Sequence, residues 1–230
     1  MNDNETTFPV LDNGFVRLVD FMGGDESVAQ AARVSFGREA THDERDRKLI
    51  FFLLANGHET PFEHSVFKFH IKCPIFVARQ WFRHRIASYN EISGRYSEMK
   101  EEFCLPEVLR TQKSRNYQYE TVSEPLNSAL KAKIAQSYAA AYELYQELLA
   151  NGVAKEHARI VLPLSLYTQF YWTINCRSLM NFLKLRTDEH AQFEIRQYAE
   201  VIAEIFQAKM PWSHEAFIKY KIKGEKWIEA

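Results

Sequence analysis

Strict alternation of side-chain character at residues 67–73 constrains the fold of this 230-residue chain more than any other feature. Every second residue from Phe67 to Cys73 is apolar, and the polar side chains of Lys68, His70 and Lys72 stand between them. A period of two is typical of a β-strand that buries one face and exposes the other. The segment therefore predicts a half-buried main strand.

Other periodic segments predict two more strands and a series of helices. Residues 15–21 and 164–174 are expected to be strands, and residues 105–124 are expected to be a loop. Asp25 is expected to cap the first helix. In the second helix, Leu49, Phe52 and Leu53 recur at helical spacing and are expected to lie in the core. The predicted helices cover residues 25–35, 43–55, 75–83, 127–150, 153–162, 175–186, 190–206 and 211–220.

Length, charge and cysteine content restrict the class of protein. A chain of this size with 46% hydrophobic residues is expected to form one domain over residues 1–230. No apolar run is as long as the roughly 18 residues that a membrane-spanning helix requires. The three cysteines are far apart and form no Cys-x-x-Cys pair, so reduced thiols and a cytoplasmic location are expected. A net charge of -1 disfavours general binding of nucleic acids.

Residues 58–64 contain two histidines and two glutamates, which makes them the obvious candidate for metal ligands. Four residues, one of them Pro61, separate Glu59 from His64, so the spacing differs from the His-Glu-x-x-His zinc motif. The sequence therefore predicts no metal site.

Arginines cluster between residues 79 and 96. This segment contains four arginines and one histidine against a single carboxylate, Glu91, with short polar residues interleaved among the cations. Guanidinium groups suit oxygen-rich anions, and short polar residues are typical of loops that hold a ligand. The segment therefore predicts an anion-binding site. The alternatives are a solvated basic surface and cations that stabilise a helix end.

The motif Arg83-His84-Arg85, followed by seven residues and then Ser93, resembles the signature of the flavin-dependent thymidylate synthases. The chain is also similar to that family in blocks at residues 32–36, 57–64, 76–96, 158–163 and 175–190. The further signature positions that match are Ser88, Asn90, Glu91, Arg95 and Tyr96.

The resemblance implies a fold, an assembly and a reaction. The implied fold is α+β, a central, mostly antiparallel sheet packed with helices, and four copies form a homotetramer with active sites where subunits meet. The implied reaction is reductive methylation of dUMP to dTMP, with methylenetetrahydrofolate as carbon donor, FAD as cofactor and NADPH as reductant. No cysteine stands in the Pro-Cys-His setting of the other thymidylate synthase class. The resemblance instead implies that hydride from reduced FAD completes the reduction and that the folate leaves as tetrahydrofolate.

The resemblance also implies which residues bind each ligand. His58 is expected to contact flavin or folate. The residues expected to bind FAD are Ser35, Thr60, Arg83, His84, Arg85, Glu91, Asn175, Arg177 and Asn181. The residues expected to bind dUMP are Gln80, Arg83, Glu91, Ser93, Gly94, Arg95, Arg159 and Arg186.

Arg186 and Ser93 are the candidate catalytic residues. Negative charge that develops on the uracil ring needs a fixed positive partner, and a guanidinium cannot act as a general base, so Arg186 is expected to act electrostatically. Ser93 is interpreted as a phosphate ligand, together with the Gly94 backbone and Arg95. The alternative role of Ser93 is nucleophilic attack on the ring, which requires a neighbouring base.

Two other functions are compatible with the arginine cluster. One is a nucleic-acid-binding module in which Trp81, Tyr89 and Tyr96 stack on bases. The other is a flavin reductase or oxidase that transfers no methyl group. The first predicts steep salt dependence and no flavin absorbance, and the second predicts flavin absorbance without dTMP. We expect neither nucleic acid nor membrane as a partner.

Overall fold

An antiparallel sheet forms the centre of the computed structural model, which describes residues 7–37, 41, 43–113 and 119–227. The strands are β1 (Thr7–Val10), β2 (Gly14–Met22), β3 (Val66–Pro74), β4 (Ser88–Glu91), β5 (Arg110–Gln112), β6 (Tyr119–Thr121) and β7 (Tyr167–Asn175). Five of them form the main sheet in the order β1-β2-β3-β7-β4, with every neighbouring pair antiparallel. β5 and β6 form a separate hairpin. The expectation of a mostly antiparallel α+β fold is confirmed.

Helices pack on this sheet and at its ends. Short 3₁₀ segments also occur at Val34–Phe36, Thr60–His64 and Arg159–Val161, and a π-helical turn at Ile218–Ile222. In the part of the chain that the structure describes, no helix is long and apolar enough to cross a bilayer. The α-helices are α1 (Asp25–Arg33), α2 (Glu44–Ala55), α3 (Ile75–Trp81), α4 (Leu126–Ala150), α5 (Lys155–Ala158), α6 (Cys176–Arg186), α7 (Phe193–Lys209) and α8 (Pro211–Phe217).

The apolar side chains that alternate along β3 are buried, as predicted. Phe67, Phe69, Ile71 and Cys73 are fully buried. β3 pairs with β7 without a break from Val66 opposite Asn175 to Pro74 opposite Tyr167. A register shift of one residue would turn the whole apolar set to the other face, so the alternation also specifies how these two strands align.

An aromatic cluster in the core joins the ends of α3 and α6 to β7. The ring centroids of Trp81 and Trp172 lie 5.2 Å apart, and that of Phe182 lies 5.1 Å from Trp81 and 4.9 Å from Trp172. All three side chains are fully buried. Aromatic pairs at these distances stabilise a core beyond the area they bury. The cluster therefore fixes the carboxyl ends of α3 and α6 relative to each other.

Asp25 does not cap its own helix, contrary to the prediction. The N-cap of α1 is Gly24, which makes no side-chain capping bond. The carboxylate of Asp25 instead accepts hydrogen bonds from the backbone N–H groups of Trp212 (2.8 Å) and Ser213 (2.9 Å) and from the Ser213 hydroxyl (2.6 Å). Asp25 thus satisfies the free amides at the start of α8, and burial raises its pKa.

Three other predictions need correction. Residues 105–124 contain the β5–β6 hairpin, where a loop was expected. Phe52 is 39% exposed and packs against His58 and Trp227, whereas Leu53 is buried as predicted. The segment predicted as a helix at 153–162 consists of α5 and a 3₁₀ turn. Such short stretches are decided by tertiary contacts, which local spacing does not contain.

A buried ion pair ties α1 to α2. Asp46 is fully buried and accepts from Arg33 Nε at 2.6 Å, from the Thr41 backbone N–H at 2.8 Å and from the Thr41 hydroxyl at 3.2 Å. Asp43, the N-cap of α2, accepts from the backbone N–H of Arg45. The charged segment that opens the second helix therefore serves both to cap that helix and to anchor it to α1.

Candidate active site

The Arg83-His84-Arg85 motif lies in the turn between α3 and β4. The Tyr89 hydroxyl donates to the backbone carbonyl of His84 at 2.7 Å and approaches that of Trp81 at 3.4 Å. Burial raises the pKa of Tyr89 to about 12, so its hydroxyl remains a donor at neutral pH. Tyr89 itself belongs to β4 and is held by pairing with β7. The turn is therefore fixed at both ends.

Arg186, the last residue of α6, reaches this turn. Its Nε donates to Nε2 of His84 at 3.0 Å, and its Nη2 donates to the Gln80 carbonyl at 3.0 Å. Burial and the neighbouring charge of Arg83 lower the pKa of Arg186. The structure thus brings Gln80, Arg83, His84 and Arg186 together, although more than 80 residues separate the two segments in sequence.

His84 is a neutral hydrogen-bond acceptor in this cluster. Burial, followed by the charge of Arg186, lowers its pKa to about 4. The ring also packs edge-on against Phe182, with centroids 4.9 Å apart. Since Nε2 accepts from Arg186, the proton of the neutral ring is on Nδ1. His84 therefore orients the guanidinium without competing with it for charge.

Acidification is expected to destabilise the protein through His84. In the unfolded chain the histidine has its ordinary pKa of about 6.5. The contribution of neutral His84 to the free energy of unfolding is therefore fully present above pH 6.5 and is lost as the pH falls towards 4, where His84 is protonated in the folded state. The loss is on the order of 1 kcal/mol after solvent screening. Urea unfolding at pH 7.5 and pH 5 measures the decrease in the free energy of unfolding, which should be smaller for His84→Gln than for the parent protein. His64→Gln, at an exposed histidine, is the control and should show the same decrease as the parent. Equal decreases in all three proteins would contradict the role assigned to His84.

A second set of predicted residues surrounds the turn after β4. The Arg95 backbone N–H donates to Ser93 Oγ at 3.3 Å, and Arg95 Nε forms an ion pair with Glu156 at 2.8 Å. Gly94 is buried, and a Cβ added there would lie 3.0 Å from Cδ of Arg159. The absence of a Cβ at Gly94 therefore gives the Arg159 side chain room to approach this turn closely.

Glu91 connects this turn to β7. Its Oε1 accepts a hydrogen bond of 2.6 Å from the hydroxyl of Thr168, a residue that is only 3% exposed. The predicted site residues do not include Thr168, because a threonine in a strand carries no signal of function. Glu156 was also missed, and its sequence position near Arg159 was the available clue.

Two of the remaining predicted FAD residues, Asn175 and Arg177, lie where β7 ends and α6 begins. The Asn175 side chain caps α6 by accepting from the Ser178 N–H at 2.9 Å. Arg177 forms ion pairs with Glu63 at 2.5 Å and with Glu59 at 3.4 Å. The other members of this set, Ser35, Thr60 and Asn181, are exposed.

Within one chain, the predicted site residues form three groups. The first surrounds Arg186 and His84, the second the turn at Ser93, and the third Asn175 and Arg177. The described residues contain no group of three or more His, Cys, Asp or Glu side chains placed to hold a metal ion.

Known proteins resemble this chain along nearly its full length. The family model described as thymidylate synthase complementing protein matches residues 17–212. A flavin-dependent thymidylate synthase from Thermotoga neapolitana is 58% identical over 217 residues, covering 94% of this chain and 96% of the relative. Another from Thermus thermophilus is 53% identical over 220 residues, covering 95% of this chain and 80% of the relative.

Solved structures share the fold. The crystal structure of a UMP/dUMP methylase PolB from Streptomyces cacaoi bound with 5-Br UMP aligns with a TM-score of 0.84 and 36% identity, covering 95% of this chain and 98% of that one. The form bound with 5-Br dUMP also aligns at 0.84, with 37% identity over 91% of this chain and 97% of that one. Sequence and fold agree, and the chain belongs to the flavin-dependent thymidylate synthase family.

Proposed function

We propose that this protein converts dUMP to dTMP by reductive methylation, with methylenetetrahydrofolate as the carbon donor and FAD as the cofactor. The observation that carries the proposal is the cluster in which neutral His84 and the Gln80 carbonyl orient Arg186. The family membership supports the same reaction, as does the uracil-nucleotide analogue named in each of the PolB structures.

Arg186 supplies fixed positive charge beside the uracil ring in this proposal. Carbon–carbon bond formation at C5 requires electron density on the ring, and the resulting negative charge is stabilised by a pre-oriented guanidinium. Two of the donors of Arg186 are already engaged, by His84 and by Gln80. The side chain therefore needs little reorganisation when charge develops on the substrate.

The turn at Ser93 is proposed to hold the phosphate of dUMP. Arg159 packs against Gly94, and Arg95 lies beside it, so two guanidinium groups accompany the backbone N–H groups of one turn. Guanidinium groups and backbone N–H groups together favour a phosphate dianion. Glu156 holds Arg95 until the phosphate arrives, and Glu91, held by Thr168, is proposed to contact both dUMP and FAD.

The third group has the donor chemistry that FAD requires. Arg177 offers a guanidinium for the pyrophosphate, and Asn175, Asn181 and Thr60 offer amide and hydroxyl groups. The Asn175 carbonyl is used in capping α6, which leaves its amide N–H₂ as a donor. Ser35 and the motif residues Arg83, His84 and Arg85 complete the proposed FAD set, with His58 proposed to contact flavin or folate. When bound, reduced FAD supplies the hydride that completes the reduction.

The three groups are proposed to meet in a homotetramer. One copy is proposed to supply the ring contact of Arg186 and another the phosphate contact at the turn of Ser93. Residues 1–230 are proposed to act as one domain in this assembly. NADPH is proposed as the electron source and the cytoplasm as the location.

Replacing Ser93 by alanine is expected to raise the KM for dUMP about tenfold and to leave kcat measurable. The reason is the loss of one hydrogen bond to a charged phosphate, worth about 1.5 kcal/mol. Steady-state kinetics with dUMP as the varied substrate provide the measurement. Complete loss of turnover in a folded Ser93→Ala protein would instead support the nucleophile, and Ser128→Ala on the exposed start of α4 is the control.

Release of tritium from carbon five of the uracil ring tests the proposed function. Purified protein is incubated with labelled dUMP, methylenetetrahydrofolate and NADPH, with and without FAD. We expect tritium release that depends on FAD and is accompanied by tetrahydrofolate. Release of one dihydrofolate per dTMP would contradict the flavin route. Oxidation of NADPH without tritium release would show a flavin reductase instead.

A further inference from the structure

A groove of about 940 Å³ begins at Gln80 and Arg186 and continues along residues that the proposed reaction does not use. Gln80 and Arg186 line it on one side, the β5–β6 hairpin contributes Arg110, and the start of α7 contributes Phe193 and Arg196. A concavity of this volume matches the size of small-molecule sites. Its continuity with Arg186 indicates a ligand of the same reaction.

The groove is cationic. Its charged lining residues are four cations, at positions 110, 184, 186 and 196, against two anions, Asp188 and Glu189. Asp188 is already hydrogen-bonded to the His190 ring at 2.8 Å. In the part of the chain that the structure describes, Lys184 has no ion-pair partner. Arg196 forms only a long ion pair there, with a carboxylate oxygen of Glu200 at 3.8 Å. Positive charge is therefore available for an anionic ligand.

An exposed aromatic ring lies among these cations. Phe193 is 42% exposed, with the guanidinium carbons of Arg110 and Arg196 at 5.0 and 5.7 Å from its ring centroid. Arg110 is held by an ion pair of 2.6 Å with Glu194, which is itself buried. A rigid ring flanked by guanidinium groups favours a flat heterocycle that carries phosphates.

We propose that this groove binds the phosphoadenosine end of the dinucleotide reductant, with the adenine ring on Phe193 and the phosphates at Lys184 and Arg196. The inference rests on the proposed function, which requires such a reductant. The chain has no Gly-x-Gly-x-x-Gly segment, so a dinucleotide is held by something other than a Rossmann turn. The tail of the folate is also aromatic and anionic, but its carboxylates carry less charge than a pyrophosphate with a 2′-phosphate.

Binding of NADP⁺ to the FAD-loaded protein, followed by calorimetry, tests the groove. Arg196→Gln and Lys184→Gln are each expected to weaken NADP⁺ binding about tenfold, the effect of losing one charge-assisted contact. Phe193→Leu is expected to weaken it several-fold. Arg45→Gln, on the 79% exposed side chain at the start of α2, is the matched control and should leave it unchanged. Anaerobic bleaching of the flavin by limiting NADPH, with dUMP and folate omitted, should slow in the same variants.

Two results would overturn the inference. The first is unchanged NADP⁺ affinity in all three groove variants. The second is weakened binding of p-aminobenzoylglutamate with unchanged NADP⁺ affinity, which would assign the groove to folate. A parent protein that binds NADP⁺ here but releases no tritium from dUMP would contradict the proposed function and leave the groove assignment standing. Tritium release by the parent protein, together with unchanged NADP⁺ affinity in the groove variants, would support the proposed function and contradict the groove assignment.

Discussion

Replacing Arg186 by alanine is expected to lower kcat for dTMP formation by about 10²–10³-fold, the cost of removing one pre-oriented group that stabilises developing negative charge. The structure explains the orientation of Arg186, the proposed ring contact, through His84 Nε2 and the Gln80 carbonyl. Lysine at this position retains the charge but cannot donate to both partners in the same plane. Arg186→Lys is therefore expected to recover only a small part of the rate.

Steady-state turnover and flavin absorbance of the purified variants provide the measurement. An effect on the transition state lowers kcat, whereas a contact made equally to substrate and transition state raises KM alone. Arg45→Ala is the control for loss of a surface guanidinium. Turnover of Arg186→Ala within about threefold of the parent would contradict the electrostatic role.

Replacing Asp46 by alanine is expected to reduce the free energy of unfolding by about 3–5 kcal/mol, the cost of leaving one partner of a buried ion pair alone. Asp46 is fully buried, and the side chain of Arg33 is only 15% exposed. The substitution also removes the acceptor for the Thr41 backbone N–H. The junction of α1 and α2 would then contain an unpaired guanidinium and an unsatisfied amide.

Denaturant unfolding monitored by circular dichroism measures this loss. Asp20→Ala serves as the control, because Asp20 is exposed on β2 and accepts a hydrogen bond from the adjacent backbone N–H of Phe21. A surface substitution of that kind typically changes stability by less than about 0.5 kcal/mol. Equal effects of the two substitutions would show that the Asp46 contacts contribute no more than a surface hydrogen bond.

Local pattern predicted most of the elements correctly. The alternation at β3 and the helical spacing of α2, α6 and α7 repeat over many residues, so burial of one face specifies both the element and its orientation. The sequence did not predict the β5–β6 hairpin, whose strands are three residues long and exposed. Such strands contain too few positions for a period to be visible.

The sequence by itself determined the family signature, the main strands and helices, and the residue types that favour an anionic nucleotide. Only the tertiary structure decided that Arg186 meets His84, that Asp25 caps α8 instead of α1, and that Thr168 holds Glu91. Each of these contacts joins residues more than 70 positions apart. Periodicity reports which face of an element is buried, but the partner on that face depends on how whole elements pack against one another.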